Sequence, residues 1–201
     1  LGHTHTLVDI TDAGTMAAQD FDSVSITGGN ISVTSLTSDT LKLNTGLSDP
    51  AHSEGLMFYN NTKKTYTIYN DETDTSLDVG EELRVRVFNA NAYVIPNGAA
   101  VTVTGRTGDV INIDLAISSN KVSALNTIGI ATHEIGIGEY GWAATSGTVG
   151  GLNTTVLNNG GALTEGAAIY LSDSVAGEYQ ETRPISPSYE VRMGGVAQAS
   201  A

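Results

Sequence analysis

The chain has 201 residues, 40% of them hydrophobic, with 23 glycines, four prolines and no cysteine. That supply can bury one core of moderate size, and the glycine-rich, proline-poor balance points to many short strands and tight turns. Twenty-two acidic against nine basic side chains give a formal charge of -13, which disfavours nucleic acid and anionic membrane surfaces, and the absence of cysteine excludes disulfides and Cys-type zinc sites.

No run of about 18 apolar residues occurs, and the first residues lack the basic start and apolar stretch of a signal peptide, so membrane insertion is not expected. The start without Met and the ending VAQASA lead us to expect a portion of a longer polypeptide.

In chain order, LGHTHTLVDITDAG places His3 and His5 one residue apart. In an extended segment residues i and i+2 point to the same side, so the two rings project together. One copy supplies two imidazoles, a weak site. Copies around a three-fold axis would supply about six ring nitrogens, enough for octahedral coordination of a divalent transition metal. The other reading is a solvated pair that binds nothing. His52 and His133 have no such neighbour and are not expected to take part.

DITDAGTMAAQDFDS can carry a short helical turn capped by Asp12. SVSITGGNISVTSLTSDTLKLNTG then alternates Val24, Ile26, Ile31, Val33, Leu36, Leu41 and Leu43 with Ser, Thr and Asn, broken at Gly28 and Gly29. This predicts strand with one thin apolar face, which needs partners because a lone hairpin is marginal in water. The face is buried either on the later domain or against identical faces of other copies.

EGLMFYNNTKKTYTIYN predicts a hairpin, Leu56 to Tyr59 and Tyr66 to Tyr69 about a turn at 60–64. DETDTSLDVGEE follows as an acidic connector. Its Asp71, Asp74 and Asp78 lack the order of a calcium loop, so a solvated linker is expected. From Glu82 onward Leu83, Val85 and Val87 alternate with Arg84 and Arg86, a turn falls at Pro96-Asn97-Gly98, and Val101, Val103 and Ile111 to Ile117 continue the period of two. Further strands are expected near 122–125, 128–132, 141–144, 148–152, 168–171 and 189–196.

The reading is thus all-β: an extended, intertwined N-terminal stem at 1–48, a hairpin and acidic connector at 49–80, and a compact β-barrel or β-sandwich module at 81–201.

Catalytic constellations are missing. THEIGIGE starts like H-E-x-x-H, but Ile137 stands where the second His belongs, so His133 reads as a turn or surface residue. No G-x-S-x-G elbow and no phosphate-binding loop with its Lys occurs. Paired carboxylates able to cleave a glycosidic bond cannot be placed from sequence. Trp142 and the tyrosines could stack on sugar rings, although core or rim packing is their commoner use. The chain is not expected to be an enzyme.

GHTHTLVDITDAGTMAAQDFDSVSITGGNIS resembles the shaft-entry segments of tailed-bacteriophage fibre proteins in its histidine pair, its DITDAG turn, its A-A-Q-D-x-D-S bridge and its V-x-I-T-G-G-x-I strand. The segment at 55–83 is similar to the short hairpin that precedes a globular module in such proteins, and the remainder is similar to that module. The module also resembles small capsid-decoration domains, through its I-P-x-G, G-I-A and Gly-rich closing runs. SITGGNIS occurs once, whereas long shafts often repeat such units.

The resemblance implies a homotrimer in the virion, with other virion proteins as neighbours and a host surface glycan or protein as a further partner. It implies a tail fibre serving structure and host attachment. A capsid-decoration, head-fibre or neck protein is the alternative, and a polysaccharide-degrading tailspike the third reading. It also implies a metal, commonly iron, on the trimer axis at His3 and His5.

Overall fold

The computed structural model describes residues 34, 35 and 37–199. The chain divides into two units, Leu1–Lys42 and Leu43–Ala201. The expected boundary at 48/49 falls near the start of the second unit and that at 80/81 lies inside it. The short helical turn after Asp12 and the strand face of Val24, Ile26, Ile31 and Val33 lie outside the described residues, as do Leu36, His3 and His5. Where the expected alternation reaches Leu41 and Leu43, the backbone is irregular and Leu41 is exposed, so no strand continues there.

The second unit is built from strands. A first sheet joins β1 (Met57–Asn60), β2 (Thr65–Tyr69) and β3 (Ser76–Asp78) as an antiparallel meander. Five strands then close a barrel: β4 (Glu82–Asn89), β5 (Ala100–Thr107), β6 (Val110–Leu115), β7 (Thr127–Ala131) and β8 (Tyr140–Gly147), in the order β4-β6-β5-β7-β8. Only β4 and β6 pair in parallel within it, and β8 pairs antiparallel with β4 to close the ring. A third sheet, β10-β9-β11, uses β9 (Ala168–Leu171), β10 (Tyr179–Gln180) and β11 (Arg192–Gly195).

A five-stranded ring is too narrow to leave a lumen, and side chains fill it. Val87, Ile95, Val101, Ile113, Ala131, Ile135 and Ala143 are buried there, with Val85 and Ile111 packed against them. Each fully buried Val or Ile contributes about 1.5–3 kcal/mol. A separate cluster lies between the outside of β5 and the third sheet: Ala100, Leu157, Leu163, Ile169, Leu171, Tyr179 and Val196. Successive residues Ala100 and Val101 thus face different cores, as a strand's alternation requires.

One turn recurs along the unit, at Ser53 to Leu56, Asp78 to Glu81 and Val175 to Glu178 among others, and in three further places a buried apolar residue stands before it. Pro96 to Ala99, Gly136 to Glu139 and Thr164 to Ala167 each close with a bond from the last N–H to the first carbonyl, and each has a glycine at its third position with φ between 72° and 83°. That is the left-handed position of a type II turn, where a Cβ costs about 1–2 kcal/mol. Each glycine N–H donates to the end of another strand: Gly98 to Ala131, Gly138 to Asn89 and Gly166 to Val196. A buried apolar residue, Ile95, Ile135 or Leu163, precedes each turn. The three turns start β5, β8 and β9.

Two expected strands are not formed. Residues 121–125 are a short helix, α1 (Lys121–Leu125), because the Asn120 side chain accepts from Val122 N–H and Ser123 N–H and so nucleates a helical turn. Its Ala124 is buried, while Val122 and Leu125 are exposed, a one-sided burial that alternation of a strand does not give. Residues 148–152 are irregular, and the strand expected over 189–196 is confined to β11.

Candidate functional site

Cationic, aromatic and acidic side chains converge on the outer face of the β4–β8 pair. Register sets Arg86 opposite Trp142 and Phe88 opposite Tyr140, while Val87 and Ala143 point into the barrel. The Arg86 guanidinium lies 5.3 Å from the Tyr140 ring centroid and 5.5 Å from that of Trp142. Phe88 and Tyr140 stack at 5.0 Å with tilted planes. Cation–π attraction and ring packing together fix this ladder.

The connector after β2 is clasped onto it. Asp71 bonds Arg86 at 2.7 Å and accepts from the Trp142 indole N–H at 2.8 Å. Thr75 accepts from Arg84, which is paired with Glu82 at 2.7 Å. Glu82 in turn accepts from the Asp78 N–H at 3.0 Å. The connector is solvated only in its first part, where Asp71, Thr73 and Asp74 are exposed, whereas Asp78 is buried, bonded by Thr67 and Lys63 on the inner side of the first sheet. Asp71 and Asp78 are committed to different partners, and no calcium-type convergence forms from them.

His133 is buried, not a surface residue. Room for it comes from Gly141, where a Cβ would stand 2.9 Å from its Nε2 and 2.7 Å from Ile135. Its Nδ1 lies 3.2 Å from Thr132 Oγ1, and its Nε2 lies 3.9 Å from Glu72, beyond hydrogen-bond reach. Burial leads in holding its pKa below the ordinary imidazole value, helped by Arg84 and opposed by Glu72, Asp71 and Asp74.

Asp71 is shifted down: burial pushes its pKa up, but the Trp142 and Arg86 bonds outweigh this. Because the folded pKa is depressed, its contribution to stability is present above the ordinary carboxylate pKa and is lost as pH falls through the folded value. The chain has one tryptophan, so fluorescence reads this contact directly. Trp142 emission is expected to titrate with a midpoint below about 4, the unperturbed Asp value. In Asp71→Asn that transition should vanish. A midpoint unchanged by the substitution would remove Asp71 as its source.

As chemistry, the ladder is a clasp with a rim. Asp71 is held by Arg86 and Trp142, which makes it an acceptor already engaged rather than a general base. Tyr140 stays 43% exposed beside the outer part of Arg86, a surface of the kind that stacks on planar or saccharide groups. A groove of about 600 Å³ lies elsewhere on the unit, among Ile130, Leu152, Leu157, Ile169, Met193 and Val196. No carboxylate or imidazole lines it. Among the described residues, no three His, Asp or Glu side chains come together as a metal site.

The outward direction of Arg84 and Arg86 was readable from their alternation with valine. Their partner was not, since Asp71 reaches Trp142 across 71 positions of sequence. No protein-family model matches the chain, and neither a curated protein nor a solved structure does.

Proposed function

We propose that this chain is a structural component of a bacteriophage virion, a homotrimeric tail fibre or fibre-like appendage that serves host attachment. The observation that carries the reading is the ordered set of motifs over residues 1–31: His3-Thr4-His5, DITDAG, AAQDFDS and the SITGGNIS strand. The cysteine-free second unit, with its short strands and repeated turns, suits a soluble module presented by such a segment. The aromatic and cationic rim at Tyr140 and Arg86 is where a host surface glycan would be met.

A capsid-decoration, head-fibre or neck protein is the second reading, favoured by the I-P-x-G turn at Ile95 to Gly98. The N-terminal motifs favour the first, because decoration needs no stem. A polysaccharide-degrading tailspike is third. Electron microscopy of particles carrying a label on this chain separates tail from head, and the appearance of new reducing ends in host polysaccharide would establish the third reading.

In this reading His3 and His5 of three copies hold a divalent transition metal, iron first, on the trimer axis. Protein prepared without a metal-affinity column is expected to contain about one metal per trimer. His3→Ala and His5→Ala should lose it, and His133→Ala should keep it. A metal-free trimer of undiminished thermal stability would show the pair to be neighbours only.

A further inference from the structure

The first sheet is inside out for a single copy. Pairing sets Phe58, Thr67 and Asp78 in one row on the inner face, with Asn60 and Tyr69 on the same side. That face is covered by the chain before β1: Asp49 accepts from Asn60 at 3.1 Å, the Pro50 carbonyl accepts from the Tyr69 hydroxyl at 2.9 Å, and the His52 ring lies 4.8 Å from that of Tyr69. The covered face thus carries Asn60, Thr67 and Asp78, three polar side chains. The opposite face carries Met57, Ile68 and Leu77 in one row and Tyr59, Tyr66 and Val79 in the next, with no charged group. An antiparallel sheet with one wet side has the reverse arrangement.

We infer that this outer face of β1-β2-β3 is where copies of the chain meet about a three-fold axis, an inference that rests on the homotrimeric reading above. Half of this face is exposed, with Met57 at 43%, Tyr66 at 41% and Val79 at 44%, while Tyr59, Ile68 and Leu77 are half-buried. Charge selects a second copy as its occupant. Identical chains of charge -13 repel, and an uncharged apolar patch is a surface where they approach with least cost. The rim adds opposite signs in the right places. β1 and β3 are the two edges of the sheet, and beyond the same end of it stand Lys64, in the β1–β2 turn just before β2, and Glu81, after β3, both exposed. A three-fold axis along the strands puts the β1 edge of each copy beside the β3 edge of the next, which brings Lys64 to the height of Glu81.

Size limits the role of this face. Three strands about 4.8 Å apart and roughly four residues long offer far less than the ~800 Å² per partner of a stable pair. The face therefore adds to an association that the N-terminal segment also drives, and the full chain is the material for its test.

Met57 is a built-in probe, since a buried thioether oxidises slowly and a half-exposed one does not. The mass of the full chain is first measured by light scattering. The trimer is then treated with dilute peroxide, and sulfoxide at Met57 is followed by peptide mass spectrometry against the urea-unfolded chain. We expect Met57 to oxidise at least about tenfold more slowly in the trimer, and Tyr66→Glu to shift the trimer towards monomer at micromolar concentration. A trimer in which Met57 oxidises at the unfolded rate, with Tyr66→Glu still trimeric, overturns this face and leaves the trimeric reading standing. A monomeric wild-type chain overturns both.

Discussion

Asn89→Ala is expected to lower stability by about 2–4 kcal/mol, a large share of the roughly 5–15 kcal/mol of a domain, because a fully buried hydrogen-bonding side chain is removed and the Tyr93 carbonyl and Asn91 N–H lose their partner together. Asn89 closes β4 and is fully buried. Its Nδ2 donates to the Tyr93 carbonyl at 2.8 Å and is shared between those of Ile135 and Gly136 at 3.0 Å each. Its Oδ1 accepts from the Asn91 N–H at 3.0 Å and from Asn91 Nδ2 at 2.9 Å, and Asn91 passes the chain on to the Ile113 carbonyl at 2.8 Å. One side chain thereby ties the loop after β4 to the turn before β8 and to β6. The Ile135 carbonyl keeps its bond from the Ile95 N–H and the Gly136 carbonyl its bond from the Glu139 N–H, so alanine orphans chiefly the Tyr93 carbonyl and the Asn91 N–H, at about 1–3 kcal/mol for each group that water does not reach. Asn89→Asp should be at least as damaging, because a carboxylate faces three carbonyl oxygens with no proton to offer. Urea unfolding followed by far-ultraviolet dichroism measures both. A loss under about 1 kcal/mol for Asn89→Ala would mean that water replaces the network.

This network illustrates what sequence does and does not disclose. The period of two over 82–89, 100–107 and 110–115 is a local property, and it announces strands and their buried faces from the order of residues alone. Asn89 sits in FNANAYVIPNG, a stretch that reads only as a connection, because its acceptors lie 46 and 47 positions away. Barrel closure has the same character: the parallel β4–β6 pair depends on the twist of the strands between, not on any residue of either strand. β3 and β10 are three and two residues long, too short for periodicity to register. Of the type II turns, by contrast, the one at Pro96-Asn97-Gly98 was legible. I-P-N-G-A-A, I-G-I-G-E-Y and L-T-E-G-A-A share an apolar residue three positions before glycine, and the repeat is hidden only by its brevity and by the varied residues between.

The candidate site was less legible than the fold for a further reason. Its residues are ordinary on their own, an Asp in an acidic run, an Arg in alternation and a lone Trp, and only the register of β4 on β8 makes them neighbours. His133 shows the converse. Its sequence neighbourhood suggested an exposed turn, and its burial follows from Gly141 on the next strand, whose missing side chain makes the space.

Tyr179→Ala should cost about 3–5 kcal/mol by leaving a cavity the size of an aromatic ring, and the damage should stay on one side of the unit. Tyr179 is the largest fully buried side chain among the described residues, 1% exposed, and it fills the cluster between β5 and the third sheet. Its hydroxyl donates to the Gly98 carbonyl at 2.6 Å, in the type II turn that starts β5. Burial pushes that phenol's pKa well above the ordinary range, so the bond keeps its donor through any pH at which the fold survives. Tyr179→Phe keeps the volume and removes only this bond, at about 0.5–1.5 kcal/mol plus the cost of an orphaned carbonyl. The barrel interior is a separate cluster to which Tyr179 does not belong. Native-state hydrogen exchange of Tyr179→Ala should therefore show protection falling first at Ile169, Leu171 and Val196 while Val87, Val101 and Ile113 keep theirs. Uniform loss across both sets would mean that the two cores unfold as one cooperative body, with the Gly98 turn as the coupling between them.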